Sequence, residues 1–245
     1  MIMELMHRRL IAIVSAVTGL ATVFGLVLLV RSGTAEEPTK QLAGSITSDE
    51  ATARLLQGNR RCVEGESAHG HDLAKWRERF LVKQKPFATV LGCSDSRVAP
   101  ELLFDQGFGE LFVIRVAGNI VDSDVVGSIQ YAVEHLDNKL IVVLGHQNCG
   151  AVTAALTPPD QTKNEPPELR KLLDRIRPAL ESVDRQQERE QRVATAVEAN
   201  ARASVKQLRQ VPSIAAAIKI KNVKVVGAVY QVDSGRITFL DERHP

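Results

Sequence analysis

"FATVLG", residues 87–92, is an apolar run too short for a stable helix and closed by glycine, and "LIVVLG", residues 140–145, repeats it. Between them, "LFVIRV" (111–116) is a third such run, followed by Val125, Val126, Ile129, Val133 and Leu136 at helical spacing. Short unbroken apolar runs alternating with amphipathic helices are the mark of strands covered on both faces. The chain therefore reads as α/β, a single domain with a mostly parallel central sheet flanked by helices.

Outward from this centre, Leu169, Leu172, Leu173, Ile176 and Leu180 mark a helix with a charged face, and Val193, Val197, Ala201, Val205 and Leu208 mark the next. "NVKVVGAVYQV" (222–232), the turn "DSG" and "RITFL" read as a strand, a tight hairpin and an antiparallel edge strand. Toward the N-terminus, Thr47 and Glu50 form a capping-box pattern opening a short helix that carries Ala51, Leu55 and Leu56, with Gly58 and Asn59 as its stop. Leu73, Trp76 and Phe80, three and four apart, predict a second helix.

Leu10 to Val30 is a stretch of 21 residues without a charge, set between Arg8–Arg9 and Arg31. At ~1.5 Å per residue it matches a hydrocarbon core of ~30 Å, so residues 1–35 are expected to be a membrane anchor. A cleaved signal peptide is the alternative, because Gly33 and Ala35 are small residues with the spacing a signal peptidase accepts. The basic pair puts the N-terminus in the cytoplasm. The rest is then exported, either periplasmic or attached to the outer face of the cytoplasmic membrane. Residues 36–46 are polar and read as a linker, leaving residues 47–245 as the domain.

The chain has 31 Lys and Arg against 29 Asp and Glu; residues 1–35 hold three of the former and one of the latter, leaving 28 of each. A neutral domain gives no electrostatic case for nucleic acid. Three cysteines, an odd number, argue against a disulfide framework in an exported protein, and metal ligation would account for two of them.

The two glycine-closed strands end in chemistry: Gly92 leads to Cys93, and Gly145 to His146, with Cys149 three residues on. In an open parallel sheet ligands collect beyond the C-terminal strand ends, so Cys93 and His146 are expected on one rim. Two thiolates and an imidazole suit Zn²⁺, and three protein ligands leave the fourth position of a catalytic site open. Read singly, the residues have plainer roles: Cys93 and Cys149 as small buried side chains, His146 as a hydrogen-bonded strand-end residue. Asp95 likewise reads either as a helix cap or as an acceptor fixed bidentately by Arg97 beside the metal, and Arg97 either as that clamp or as a surface ion pair.

"CSDSRVAPE" (93–101), "VIRVAGN" (113–119) and "GHQNCGAV" (145–152) together resemble the β-class carbonic anhydrases, over roughly Thr47 to Leu240. The resemblance implies reversible hydration of CO2 to bicarbonate and a proton, with a zinc-bound hydroxide as nucleophile. It makes Cys93, His146 and Cys149 the zinc ligands, and Asp95 with Arg97 the dyad that orients the hydroxide. Gln84, Phe112 and Tyr131 match positions where plant-like members place the substrate pocket, although ordinary packing accounts for the two aromatics equally well. A homodimer or larger homo-oligomer is implied, with the pocket near the subunit interface.

Two departures bear on this. Val90 stands where one branch carries a tryptophan associated with a closed site, so the open form is expected. Cys62 stands in "NRRC" where many members read "NRRF", which makes it a packing residue. Three competing readings stay open: hydrolysis of carbon disulfide or carbonyl sulfide on the same fold, a noncatalytic zinc or bicarbonate binder, and a Cys93–Cys149 redox pair that loses its metal on oxidation.

Overall fold

The computed structural model describes residues 46–68 and 83–240. The expected membrane segment, most of the linker and the helix of Leu73, Trp76 and Phe80 lie outside these residues. Among the described residues no helix is long and apolar enough to cross a membrane.

Five strands form one sheet: β1 (Ala88–Gly92), β2 (Leu111–Arg115), β3 (Leu140–His146), β4 (Lys224–Tyr230) and β5 (Ile237–Phe239), in the order β2-β1-β3-β4-β5. The first four are parallel, and β5 runs antiparallel to β4 at the edge. Every residue of β1 and β3 is buried, as their unbroken apolar sequence requires. Val90, Leu140, Val142 and Leu144 pack on one face against Ala51 and Leu55 of α1 (Ser48–Glu64) and Leu103 and Phe104 at the end of the short α2 (Pro100–Leu103). On the other face Leu91, Ile141 and Val143 meet Val125, Ile129 and Val133 of α3 (Ser123–His135).

Helix α1 opens as expected. Thr47 is the N-cap: its side chain accepts from the Glu50 N–H, and the Glu50 carboxylate accepts in return from the Thr47 N–H at 2.7 Å. It does not stop at Gly58 and Asn59. It runs to Glu64 and ends at Gly65, whose φ of 71° is the left-handed conformation glycine adopts freely. Gly58 serves contact instead: a Cβ there would lie 1.7 Å from the Phe104 carbonyl oxygen. Asn59, buried, donates to Leu103 O and Gly235 O and accepts from Ile237 N, tying α1 to α2 and to the β4–β5 hairpin. Leu56 is half exposed and lies outside the core.

After β3 come α4 (Gly150–Ala155) and α5 (Pro167–Ile176). The single helix expected through Leu180 ends at Ile176 and tightens into a 3-10 turn, Arg177–Leu180, because Pro178 has no N–H to continue the α ladder. Helix α6 (Arg189–Gln210) lays Ala201, Val205 and Leu208 on the face of Leu91 and Val143. A last helix, unforeseen in the sequence, is α7 (Pro212–Ile220), with proline in its first turn and Ile214 and Ala217 buried.

Candidate metal centre

Cys93 is the first residue past β1, and His146 is the last of β3. The two strands are adjacent and parallel, with Gly92 opposite Leu144, so both side chains arrive at the same rim. The chain then turns through Asn148, at φ 55°, and Cys149 becomes the N-cap of α4. Its carbonyl accepts from the Thr153 N–H and hydroxyl, both at 2.9 Å, which anchors the first turn.

One ligand atom from each of Cys93, His146 and Cys149 lies within 4.8 Å of the other two, and all three residues are buried. The sulfurs are 4.0 Å apart. Two Zn–S bonds of ~2.3 Å at the tetrahedral angle separate their sulfurs by about 3.8 Å, so the spacing fits one shared ion. His146 adds an independent sign. Its Nδ1 donates to the Gln147 carbonyl at 3.0 Å, which leaves Nε2 a bare lone pair. That atom is fully buried and has no hydrogen-bond partner. An orphaned acceptor aimed at two thiols is costly unless something binds it, and the donor set is the one zinc prefers.

The two thiols share one hydrogen bond and ionise unequally. Cys93 is held well below the ordinary thiol range, chiefly by the Cys149 S–H and also by the Gly118 N–H, against the opposing effect of burial. Cys149 is pushed up by the same contact and by burial. The cluster sits among Ile120, Val152, Leu173, Ile176 and Val197, an apolar surround behind the ligand atoms.

Asp95 faces this cluster from the loop after β1. Arg97 grips it bidentately, Nε to Oδ1 at 2.9 Å and Nη2 to Oδ2 at 2.8 Å, while the Arg97 N–H donates to Oδ1 at 3.0 Å. Those bonds hold the Asp95 carboxyl well below the usual carboxylate range. Its Oδ2 lies 3.9 Å from His146 Nε2.

Three further groups shape the centre without having been singled out in the sequence. Arg115, at the end of β2, donates from Nε to Cys93 O (3.0 Å) and from Nη2 to Asp95 O (2.6 Å), bracing the loop that carries both residues. The Gly118 N–H donates to Cys93 Sγ at 3.3 Å from the 3-10 turn Ala117–Asn119. Gly118 has φ 68°, and a Cβ there would lie 2.7 Å from Ile176 Cδ1, so only glycine fits. Asn200 on α6 donates to Gly118 O at 2.8 Å. The motif "VIRVAGN" contained the first two, but nothing in it says where an N–H points; the only signal for Asn200 is a polar residue on a buried helix flank.

Gln84, Phe112 and Tyr131 do not join the cluster within this chain. Gln84 is exposed and precedes β1; Phe112 pairs in register with Thr89, four residues before Cys93. Tyr131, on the exposed side of α3, has its ring centroid 6.2 Å from that of Phe112. Cys62 is half-buried on α1 and is not part of the group either; burial and the Asp105 carboxylate push its thiol pKa up.

A family model described as carbonic anhydrase matches residues 88–237, more than half of the chain. A solved β-carbonic anhydrase from Coccomyxa, in complex with acetazolamide, superposes with a TM-score of 0.64 at 29% identity, covering 76% of this chain and 84% of that one. The chain belongs to the β-class carbonic anhydrase family. Among carbonic anhydrases of known sequence, carbonic anhydrase 2 of Mycobacterium tuberculosis is 39% identical over 194 residues, 76% of this chain and 90% of that protein. A carbonic anhydrase of Mycolicibacterium smegmatis is 45% identical over 126 residues, 51% of this chain and 61% of that protein. A β-carbonic anhydrase of Sordaria macrospora, described as tetrameric, shares the fold at 27% identity and a TM-score of 0.64, covering 78% of this chain and 97% of that one. The enzyme class and the parallel-sheet fold expected from the sequence are those of the family.

Proposed function

We propose that the protein hydrates CO2 reversibly to bicarbonate and a proton, using Zn²⁺ held by Cys93, His146 and Cys149. The observation that carries this reading is the position of Asp95: clamped by Arg97, its carboxylate lies 3.9 Å from the one buried ring nitrogen of the cluster that has no partner. A zinc ion held there supplies Lewis acidity, which brings the acidity of water toward the neutral range.

The rest of the chemistry belongs to the chain. Arg97 keeps Asp95 ionised and fixed, so Asp95 is purely an acceptor: it takes a hydrogen bond from the attacking oxygen and turns that oxygen's lone pair toward the carbon. The Asp95–Arg97 pairing supports the open form expected from Val90. The apolar surround of Ile120, Val152 and Val197 keeps water from behind the ligands.

Gln84, Phe112 and Tyr131 belong in this reading to the pocket of a neighbouring copy, since they stand away from the cluster in their own chain and β2 is an edge strand of the sheet among the described residues. A homo-oligomer is proposed accordingly, in line with the tetrameric Sordaria macrospora relative. Export is proposed from Leu10–Val30; a reporter fused after Leu42 that reports from the cytoplasmic side would sink it.

The deciding experiment is stopped-flow CO2 hydration on the purified protein, with zinc quantified on the same sample and Asp95→Asn alongside. Zinc near one per chain, with hydration that falls about 100-fold or more in Asp95→Asn while zinc is retained, is the expected result. Zinc without hydration would replace CO2 by carbon disulfide or carbonyl sulfide as substrates to assay, and absent zinc would refute the reading.

A further inference from the structure

We infer that Asn200 and Ser204, one turn apart on α6, are positioning residues for the Cys93 sulfur. They fix the 3-10 turn whose Gly118 N–H donates to that sulfur, and so set how much negative charge it presents to a bound metal. The inference rests on the metal-centre reading above.

The turn Ala117–Asn119 has a backbone bond of its own, Asn119 N–H to Val116 O at 2.9 Å, but its conformation is a costly one. Gly118 and Asn119 are both left-handed, at φ 68° and 43°, and Asn119 is not a glycine. Its two outward carbonyls are held by α6: Asn200 Nδ2 donates to Gly118 O at 2.8 Å, and Ser204 Oγ donates to Asn119 O at 3.2 Å. Both side chains are 3% exposed, in a helix whose other buried residues are apolar or small: Val193, Ala196, Val197, Ala201, Val205 and Leu208. A buried amide and a buried hydroxyl on an otherwise apolar flank are costly unless they bond, and both bond to this turn. The result is a chain of contacts from α6 through two carbonyls to one N–H, which ends on Cys93 Sγ at 3.3 Å.

A hydrogen bond to a thiolate withdraws charge from sulfur. It makes Cys93 a weaker electron donor and leaves the metal a stronger Lewis acid than two free thiolates would allow. Asn200 and Ser204 touch neither metal nor substrate. They act through the turn.

The test uses the full-length protein with cobalt(II) in place of zinc, so that the sulfur-to-metal charge-transfer band is visible. Asn200→Leu keeps the volume and removes the donor; Ser204→Ala is the milder variant; Val205→Ala destabilises the same helix by a cavity on its sheet side. Expected are a band moved to longer wavelength in both Asn200→Leu and Ser204→Ala, as the sulfur becomes the stronger donor, and metal release to a chelator about 10-fold faster in Asn200→Leu, because the loss of the sulfur's fixed position outweighs that gain in donation. Val205→Ala should move neither. A band and release rate unchanged in Asn200→Leu, or matched by Val205→Ala, overturn the inference. Should Asn200→Leu not fold, the Ser204→Ala band decides, and an unmoved band overturns it. Wild-type protein that takes up no cobalt would overturn the metal reading and this inference together, whereas a cobalt-binding wild type with unmoved variants overturns this inference alone.

Discussion

Gly58→Ala should destabilise the protein although it places a better helix former inside a helix. The Cβ would stand 1.7 Å from the Phe104 carbonyl oxygen and 2.7 Å from Gln106 Nε2, so α1 and the chain after α2 must part by roughly 1.5 Å to reach ordinary contact. Asn59, the next residue, bonds Leu103 O at 3.0 Å, and the same movement breaks that bond and strains those to Gly235 O and Ile237 N. Two or three buried hydrogen bonds are about 2–4 kcal/mol. Forced overpacking adds about 1–3 kcal/mol, and the gain in helix propensity returns about 1 kcal/mol. The net loss of about 2–6 kcal/mol lowers Tm by roughly 4–24 °C in a domain of this size. Gly127→Ala on α3 is the matched comparison, because no atom lies within 4 Å of its added Cβ. It should raise stability by up to about 1 kcal/mol. Thermal and urea unfolding of both variants measure the contrast. A Gly58→Ala protein as stable as wild type would refute the close-approach argument.

Three other outcomes are expected. Cys62→Ser leaves the zinc content unchanged, since Cys62 stands outside the cluster; loss of zinc on elemental analysis would overturn that assignment. Glu50→Gln lowers Tm at neutral pH. The Thr47 N–H and hydroxyl hold the folded pKa of Glu50 below the ordinary glutamate value, so its contribution is present above the unfolded pKa and vanishes as pH falls through the folded one. Unfolding curves from pH 6 downward should show the gap between variant and wild type closing below about pH 4.5, and a constant gap would count against the cap. Gly145→Ala brings a Cβ to 3.2 Å from Val197 Cγ1, close enough to push α6 by a few tenths of an ångström. It should speed metal release while changing Tm far less than Gly58→Ala, and equal Tm losses would refute that separation.

What the sequence revealed, it revealed through local pattern. Buried parallel strands have to be apolar throughout, so "FATVLG" and "LIVVLG" announce themselves, and the residues following their terminal glycines converge because adjacent parallel strands end at one rim. Thr47 and Glu50 are equally legible, their partners being three residues apart. Gly58 was misread for the opposite reason. A glycine in a helical run is a stop signal when nothing else is known, and its actual cause is a carbonyl 46 residues away in the chain. Pro178 was visible, but its effect was masked by an apolar spacing that continues through Leu180. Arg115 and Asn200 were opaque because their partners are backbone atoms, which every residue carries alike.

Gly92 and Gly145 look equivalent in sequence and are used differently. A Cβ on Gly92 would meet only Pro100 Cγ, at 3.7 Å, an ordinary contact, so that position tolerates more than Gly145 on β3 does. Gly145 lies under α6, against Val197 and Ala201. One helical turn from Val197 is Ala201, and between them Asn200 points to Gly118. The missing side chain of Gly145 thus sets the height of the helix whose amide holds the turn, and the turn holds the sulfur of Cys93. His146, the residue after Gly145, is carried to the same cluster by the strand itself. A single backbone position therefore fixes two of the three residues of the cluster, one directly through β3 and one through the packing of α6.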